Sequence, residues 1–178
     1  MPNHVKNVLK FINLKSEDIS FIMNTIATKY GDDPADYVID FDKIIPEPRT
    51  EEDCPEECIV NKESCIACDE TRPWFDWYAF HTKYWDTKWN AYDGYVIVKP
   101  SSITFVFSTA WSSPSAILSK LKLLGYNMEY KWADEDIGSN CGKAIYNPER
   151  TGFTDWVVAH STELANPRRF ASDLWRKF

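Results

Sequence analysis

The 178-residue chain has no apolar run long enough for a membrane span or a secretory leader; its longest aliphatic stretches are strand-sized. It also lacks a glycine-rich phosphate loop, a G-x-S-x-G elbow, an internal repeat, and any motif tying His4, His81 or His160 to a nucleophile. These absences give an expectation of a soluble cytosolic protein that is not an enzyme. Outside residues 47–70 the sequence has no net charge either. Those residues carry nine acids against Arg49 and Lys62, which accounts for the whole formal charge of −7. Such a segment repels nucleic acid and attracts a basic surface.

What is present is concentrated in the same segment. Four of the five cysteines, Cys54, Cys58, Cys65 and Cys68, fall within fifteen residues as C-x3-C-x6-C-x2-C. Reducing cytosol keeps thiols free, and two short-looped pairs can supply a tetrahedron of thiolates, so one structural Zn2+ is the expected occupant. Four thiolates leave no open position for water, which argues against a hydrolytic centre. A disulfide or redox pair at Cys65 and Cys68 and incidental thiols are the alternatives. The surrounding acids disfavour a low-pKa thiolate. His81 is a further conceivable ligand. Cys141 stands alone and reads as a buried free thiol.

The pattern of the remaining chain predicts an α+β fold. Val5, Leu9 and Phe11 mark a strand. Ser16 is the expected N-cap of a helix carrying Ile19, Ile22, Met23, Ile26 and Tyr30, with Gly31 as its terminator. Tyr37 to Phe41 reads as a second strand ended by Pro46 and Pro48. Asp93-Gly94 is a hairpin-turn dipeptide ahead of strands at 96–98 and 103–107. Ser113-Pro114 opens a helix bearing Ile117, Leu121 and Leu124, and 126–132 is extended. This order is that of a ferredoxin-like split βαβ sandwich with helices on one sheet face, an inserted four-cysteine zinc knuckle, and a C-terminal helix opened by Asn166-Pro167. The expected division is a ferredoxin-like domain over 1–150, containing the acidic insertion 47–73, and an extension over 151–178.

Two clusters remain. Ten aromatic residues lie between Trp74 and Tyr95, more than one small sheet can bury, so some are expected at an interface. Asp134-Glu135-Asp136 precedes Gly138 and Gly142, where a turn with satisfied Asx bonds competes with a hard-cation site or an acid–base pair.

Several segments together carry a resemblance. They are Met1-Pro2-Asn3 with Val5 and Asn7, the run Asp40 to Pro46, and Thr87-Lys88-Trp89-Asn90-Ala91. Thr109-Ala110-Trp111-Ser112 with Pro114, and Ala133 to Asp136 with Gly138, Asn140 and Gly142, complete the set. The chain resembles the YubB ferredoxin-like family of small proteins carried by phages, plasmids and other mobile elements. That resemblance implies a ferredoxin-like sandwich at work in a bacterial host cytoplasm. With its cysteine insertion the chain is similar to zinc-containing anti-CRISPR proteins. The similarity implies a Cas9-type nuclease effector as partner, while the missing apolar runs lead us to expect no membrane and the local acidity no direct nucleic-acid contact. On this reading Glu51, Glu52, Glu56 and Glu57 steer the encounter, and Trp74, Trp77 and Tyr78 serve as anchors. A nucleic-acid-binding regulator with a zinc module, or a structural protein of the element, is the alternative.

Overall fold

The computed structural model describes residues 3–33, 36–48, 76–149 and 155–178. A six-stranded antiparallel sheet runs in the order β4-β5-β1-β6-β7-β8, built from β1 (His4–Ile12), β4 (Tyr92–Lys99), β5 (Ser102–Ala110), β6 (Asn127–Asp134), β7 (Cys141–Tyr146) and β8 (Val157–His160). The four strands β4-β5-β1-β6 and the helices α1 (Ser16–Ile26) and α4 (Ser115–Leu121) make the ferredoxin-like split βαβ sandwich. Strands β7 and β8 widen it beyond β6.

Alternation along β1 explains the two sides. Val5, Leu9 and Phe11 are buried in the main core with Ile22, Ile26, Ile117 and Leu121 from the helices. Lys6 and Val8 point to the other face, covered by α5 (Pro167–Lys177). Asn166 caps α5 by accepting the Arg169 N–H at 2.9 Å. Ala171 and Leu174 pack on Val8, Val106, Ala133 and Cys141. The Trp175 indole donates to the Asp134 carbonyl at 2.9 Å, and Lys6 Nζ lies 5.3 Å from its ring centroid. Helices thus cover both faces rather than one. The reason is that β1 and β5 are buried on both sides, with Val8 and Val106 on the second face, where α5 covers them.

Three local expectations are corrected. First, α1 stops at Ile26, well before Gly31, because 27–29 form β2 (Ala27–Lys29), paired antiparallel with β3 (Tyr37–Ile39) in a separate two-stranded sheet. The expected Ser16 cap also shifts, since Asp18 reaches back to the Lys15 N–H at 2.8 Å. Second, the predicted strand 37–41 ends at Ile39. Asp40 accepts from the Asp42 N–H at 3.1 Å and starts the short helix α2 (Phe41–Ile44). Third, Asp93-Gly94 is not a hairpin turn but an irregularity inside β4, where the register shifts between Tyr92 and Tyr95 and Asp93 takes φ 46°. A Cβ on Gly94 would stand 2.6 Å from Val38 Cγ2 and 3.0 Å from the Val106 carbonyl. Glycine at 94 is therefore a packing requirement of the β3 hairpin on the sheet.

Among the described residues no helix is long and apolar enough to cross a membrane.

Candidate interaction site

The segments that carry the family resemblance meet in space. Asp40 Oδ1 accepts from Asn90 Nδ2 at 2.8 Å, and Asn90 Oδ1 accepts the Phe41 N–H at 2.9 Å, tying α2 to the loop before β4. Thr87 Oγ1 donates to the Ala110 carbonyl at 2.9 Å and accepts the Ala110 N–H at 3.2 Å, fixing the same loop to the end of β5. Buried Asn7 donates to Thr109 Oγ1 at 2.9 Å and accepts from the Tyr130 hydroxyl. Burial holds that hydroxyl far above its ordinary pKa. These polar residues pin backbone that would otherwise be unsupported loop.

On this scaffold sits α3 (Trp77–Tyr84). Asp76 caps it, accepting from the Tyr78 and Ala79 N–H groups at 3.1 Å each. Its inner side buries Phe80 and His81 against Trp85, whose indole donates to the Ile45 carbonyl at 2.9 Å. His81 stacks on Trp85 with ring centroids 3.9 Å apart. His81 Nδ1 donates to the Lys88 carbonyl at 2.8 Å, and Nε2 meets the Glu47 carboxylate. Both ring nitrogens are thereby engaged, so His81 has none to spare for a metal ion. The Glu47 contact also brings the chain immediately before residue 49 against the helix that follows residue 75. The described residues on either side of the acidic cysteine segment, Glu47 before it and His81 of the helix after it, therefore lie together.

The outer side of α3 opens an aromatic ledge. Trp77 packs edge-on against Tyr78 at 5.9 Å, and Tyr78 against Trp111 at 5.9 Å. Lys88 Nζ lies 5.0 Å from the Trp89 centroid and 5.1 Å from that of Trp111, between the two rings. Trp77, Tyr78 and Trp111 are 45%, 41% and 42% exposed. Large aromatics left this open in a chain with a complete core point to an interface. Trp111 adds a second argument. Its φ of 78° is left-handed, a region costly for a side chain of this kind, and its N–H is held by the Asn3 carbonyl at 2.8 Å. Strain that lifts an indole onto the surface is a mark of use. Beside Trp111 lies an open depression of about 420 Å³, lined by Thr82, Asp86, Thr87, Ser112, Ser113 and Ser115.

Of the residues expected to act, Trp77 and Tyr78 lie on this ledge. Cys54, Cys58, Cys65, Cys68, Glu51, Glu52, Glu56, Glu57 and Trp74 lie outside the described residues, as does nearly all of the insertion 47–73. Trp111, Trp89 and Lys88 join the ledge without having been singled out as anchors. They stand in the resemblance motifs, and no sequence pattern announces a positive φ.

The three carboxylates at the end of β6 are turned to different partners. Glu135 accepts the His4 N–H at 3.0 Å, and Asp136 accepts from Asn3 Nδ2 at 3.1 Å. Asp136 also opens a turn closed by the Ser139 N–H at 3.2 Å, as the turn reading expects. Asp134 is buried with Oδ1 unpartnered, and burial, then the Asp136 charge, raises its carboxyl above the usual range. Among the described residues no group of three His, Cys, Asp or Glu could hold a metal. Cys141 is a buried free thiol, its pKa pushed up by burial and by Asp134.

Residues 84–163 match the family described as a ferredoxin-like domain in Api92-like protein. The match runs from the end of α3 through β8, covering the second βαβ half and the two added strands. No curated protein and no solved structure matches the chain.

Proposed function

We propose that this chain is a non-catalytic protein of a mobile element that binds a Cas9-type nuclease effector in the bacterial cytoplasm and blocks DNA loading. The observation that carries the reading is the exposed run Trp77, Tyr78 and Trp111, centred on the helix whose His81 meets Glu47 at the edge of the acidic segment. A partner with a basic nucleic-acid channel would meet both features together. The segment's net charge of −7 speeds the encounter, and the aromatics slow dissociation. The donor set Cys54, Cys58, Cys65 and Cys68 suits one Zn2+, which would hold the acids in a fixed array. The likeness to mobile-element proteins noted from the sequence supports the same choice of target.

The test is a pull-down of Cas9-type effectors with the full chain, followed by rate measurements. Reversal of Glu51, Glu52, Glu56 and Glu57 to lysine should slow association and remove most of its salt dependence, while leaving dissociation near the parent value. Trp77→Ala should speed dissociation about 30-fold, the size of an aromatic hot spot near 2 kcal/mol. No complex with any such effector rejects the proposal.

A further inference from the structure

The face of the sheet opposite α1 and α4 carries a second site. Strands β4, β5, β1 and β6 form its floor and the last turns of α5 its wall, enclosing an open cleft of about 800 Å³. That volume lies within the range of ligand sites, roughly 300–1,000 Å³. Five cationic side chains, Lys10, Lys99, Lys131, Arg176 and Lys177, line it against the carboxylates of Glu129 and Asp173. Both carboxylates have cationic neighbours of their own: Glu129 stands 3.9 Å from Lys10, and Asp173 3.8 Å from Arg169. Among the described residues Lys99, Lys131 and Arg176 pair with no carboxylate. The surplus positive charge is therefore unneutralised, in a chain whose net charge is −7.

The strand register sharpens the point. Lys131 of β6 stands directly opposite Lys143 of β7, both exposed on this outer face, and Lys143 likewise has no carboxylate partner among the described residues. Like charges directly opposite on neighbouring strands destabilise a sheet. One row along, Lys10, Glu129, Ile145 and Val157 face one another across β1, β6, β7 and β8, with Ile145 and Val157 about half exposed. The face thus sets the pair Lys131 and Lys143 beside the exposed apolar pair Ile145 and Val157, and Phe170 and Phe178 of α5 line the adjoining cleft. Bound anions would relieve the lysine repulsion, and flat apolar groups would cover Ile145 and Val157.

We propose that this outer face binds single-stranded nucleic acid, with backbone phosphates on Lys131, Lys143 and Arg176 and unpaired bases on Ile145, Val157 and Phe178. A strand presents phosphates and flat apolar faces side by side at the spacing of neighbouring nucleotides, which a duplex with stacked bases does not. The net acidity that argues against nucleic-acid contact belongs to residues 47–70, not to this face. The site is independent of the aromatic ledge, so loss of nuclease inhibition leaves this proposal standing.

Fluorescence anisotropy of the full chain with labelled twelve-nucleotide oligo-dT and oligo-U, at salt from about 50 to 200 mM, tests it. Binding of one or both strands should weaken as salt rises, the two probes telling DNA from RNA. The double variant Lys131→Ala with Lys143→Ala should bind at least tenfold more weakly at the lowest salt. Its log–log salt slope should be shallower by about 1.4, two contacts at roughly 0.7 each. The same variant should melt no lower than the parent, which separates lost contacts from lost fold. Four results overturn the proposal: no binding at low salt, binding unchanged in the variant, a duplex of equal length bound as tightly, or inorganic tripolyphosphate competing as well as the strand.

Discussion

Trp111 is the residue at which stability and function should part. A glycine there would take φ 78° without strain, so Trp111→Gly should not lower the melting temperature, while partner dissociation should speed at least tenfold. A destabilised Trp111→Gly protein would make the indole a packing residue. Asp134 offers a pH test. Its folded carboxyl is raised by burial, so the native state holds the proton more tightly than the unfolded chain. The stabilisation is complete below the unfolded value and is lost as pH rises through the folded one, leaving a buried charge at neutrality. Asp134→Asn should therefore gain on the parent, by about 1 kcal/mol at pH 7, and lose that advantage near pH 3. Urea midpoints at the two pH values check this. At high pH the analogous group is Tyr92, whose hydroxyl burial, then Asp93 and Glu135, push up to about 12. Its contribution is held below pH 10 and lost between roughly 10 and 12.

The elements were legible where one pattern acted alone and obscured where two competed. The apolar residues of α1 repeat at helical spacing up to Ile26, but the next three residues gain more from pairing with 37–39 than from a further helical turn. Tyr30, read as part of the helix, instead donates its hydroxyl to the Gly94 carbonyl at 2.7 Å. Asp93-Gly94 has hairpin chemistry, yet β4 already ends in a true turn after Lys99, so the dipeptide is absorbed as a bulge. The terminal helix was legible from Asn166-Pro167 and the spacing of Phe170 and Leu174. Which face of the sheet it covers was not, because that depends on the patch of Val8, Val106, Ala133 and Cys141, which only the strand register assembles. Leu174 holds the helix down. Leu174→Ala should cost about 2–4 kcal/mol and should speed hydrogen exchange of the Trp175 indole, whose bond to Asp134 depends on that docking.

For the whole molecule the charges are divided: the net negative charge belongs to residues 47–70, and a lysine-lined sheet face lies under α5. Ledge residues Trp77 and Tyr78 were legible as surplus aromatics, since the core could not hold all ten. Lys88 and Trp111 were not, because only the fold of β5 onto the 85–91 loop brings them together. Elemental analysis of purified protein should find one zinc per chain, and chelation should release the acidic segment with the sheet intact. DNA cleavage by a Cas9-type effector, titrated with the full chain and with its Trp77→Ala variant, tests the central claim most directly. The account predicts that cleavage falls to background with the parent and requires about 30-fold more of the variant. Full cleavage at a large excess of the parent would contradict it.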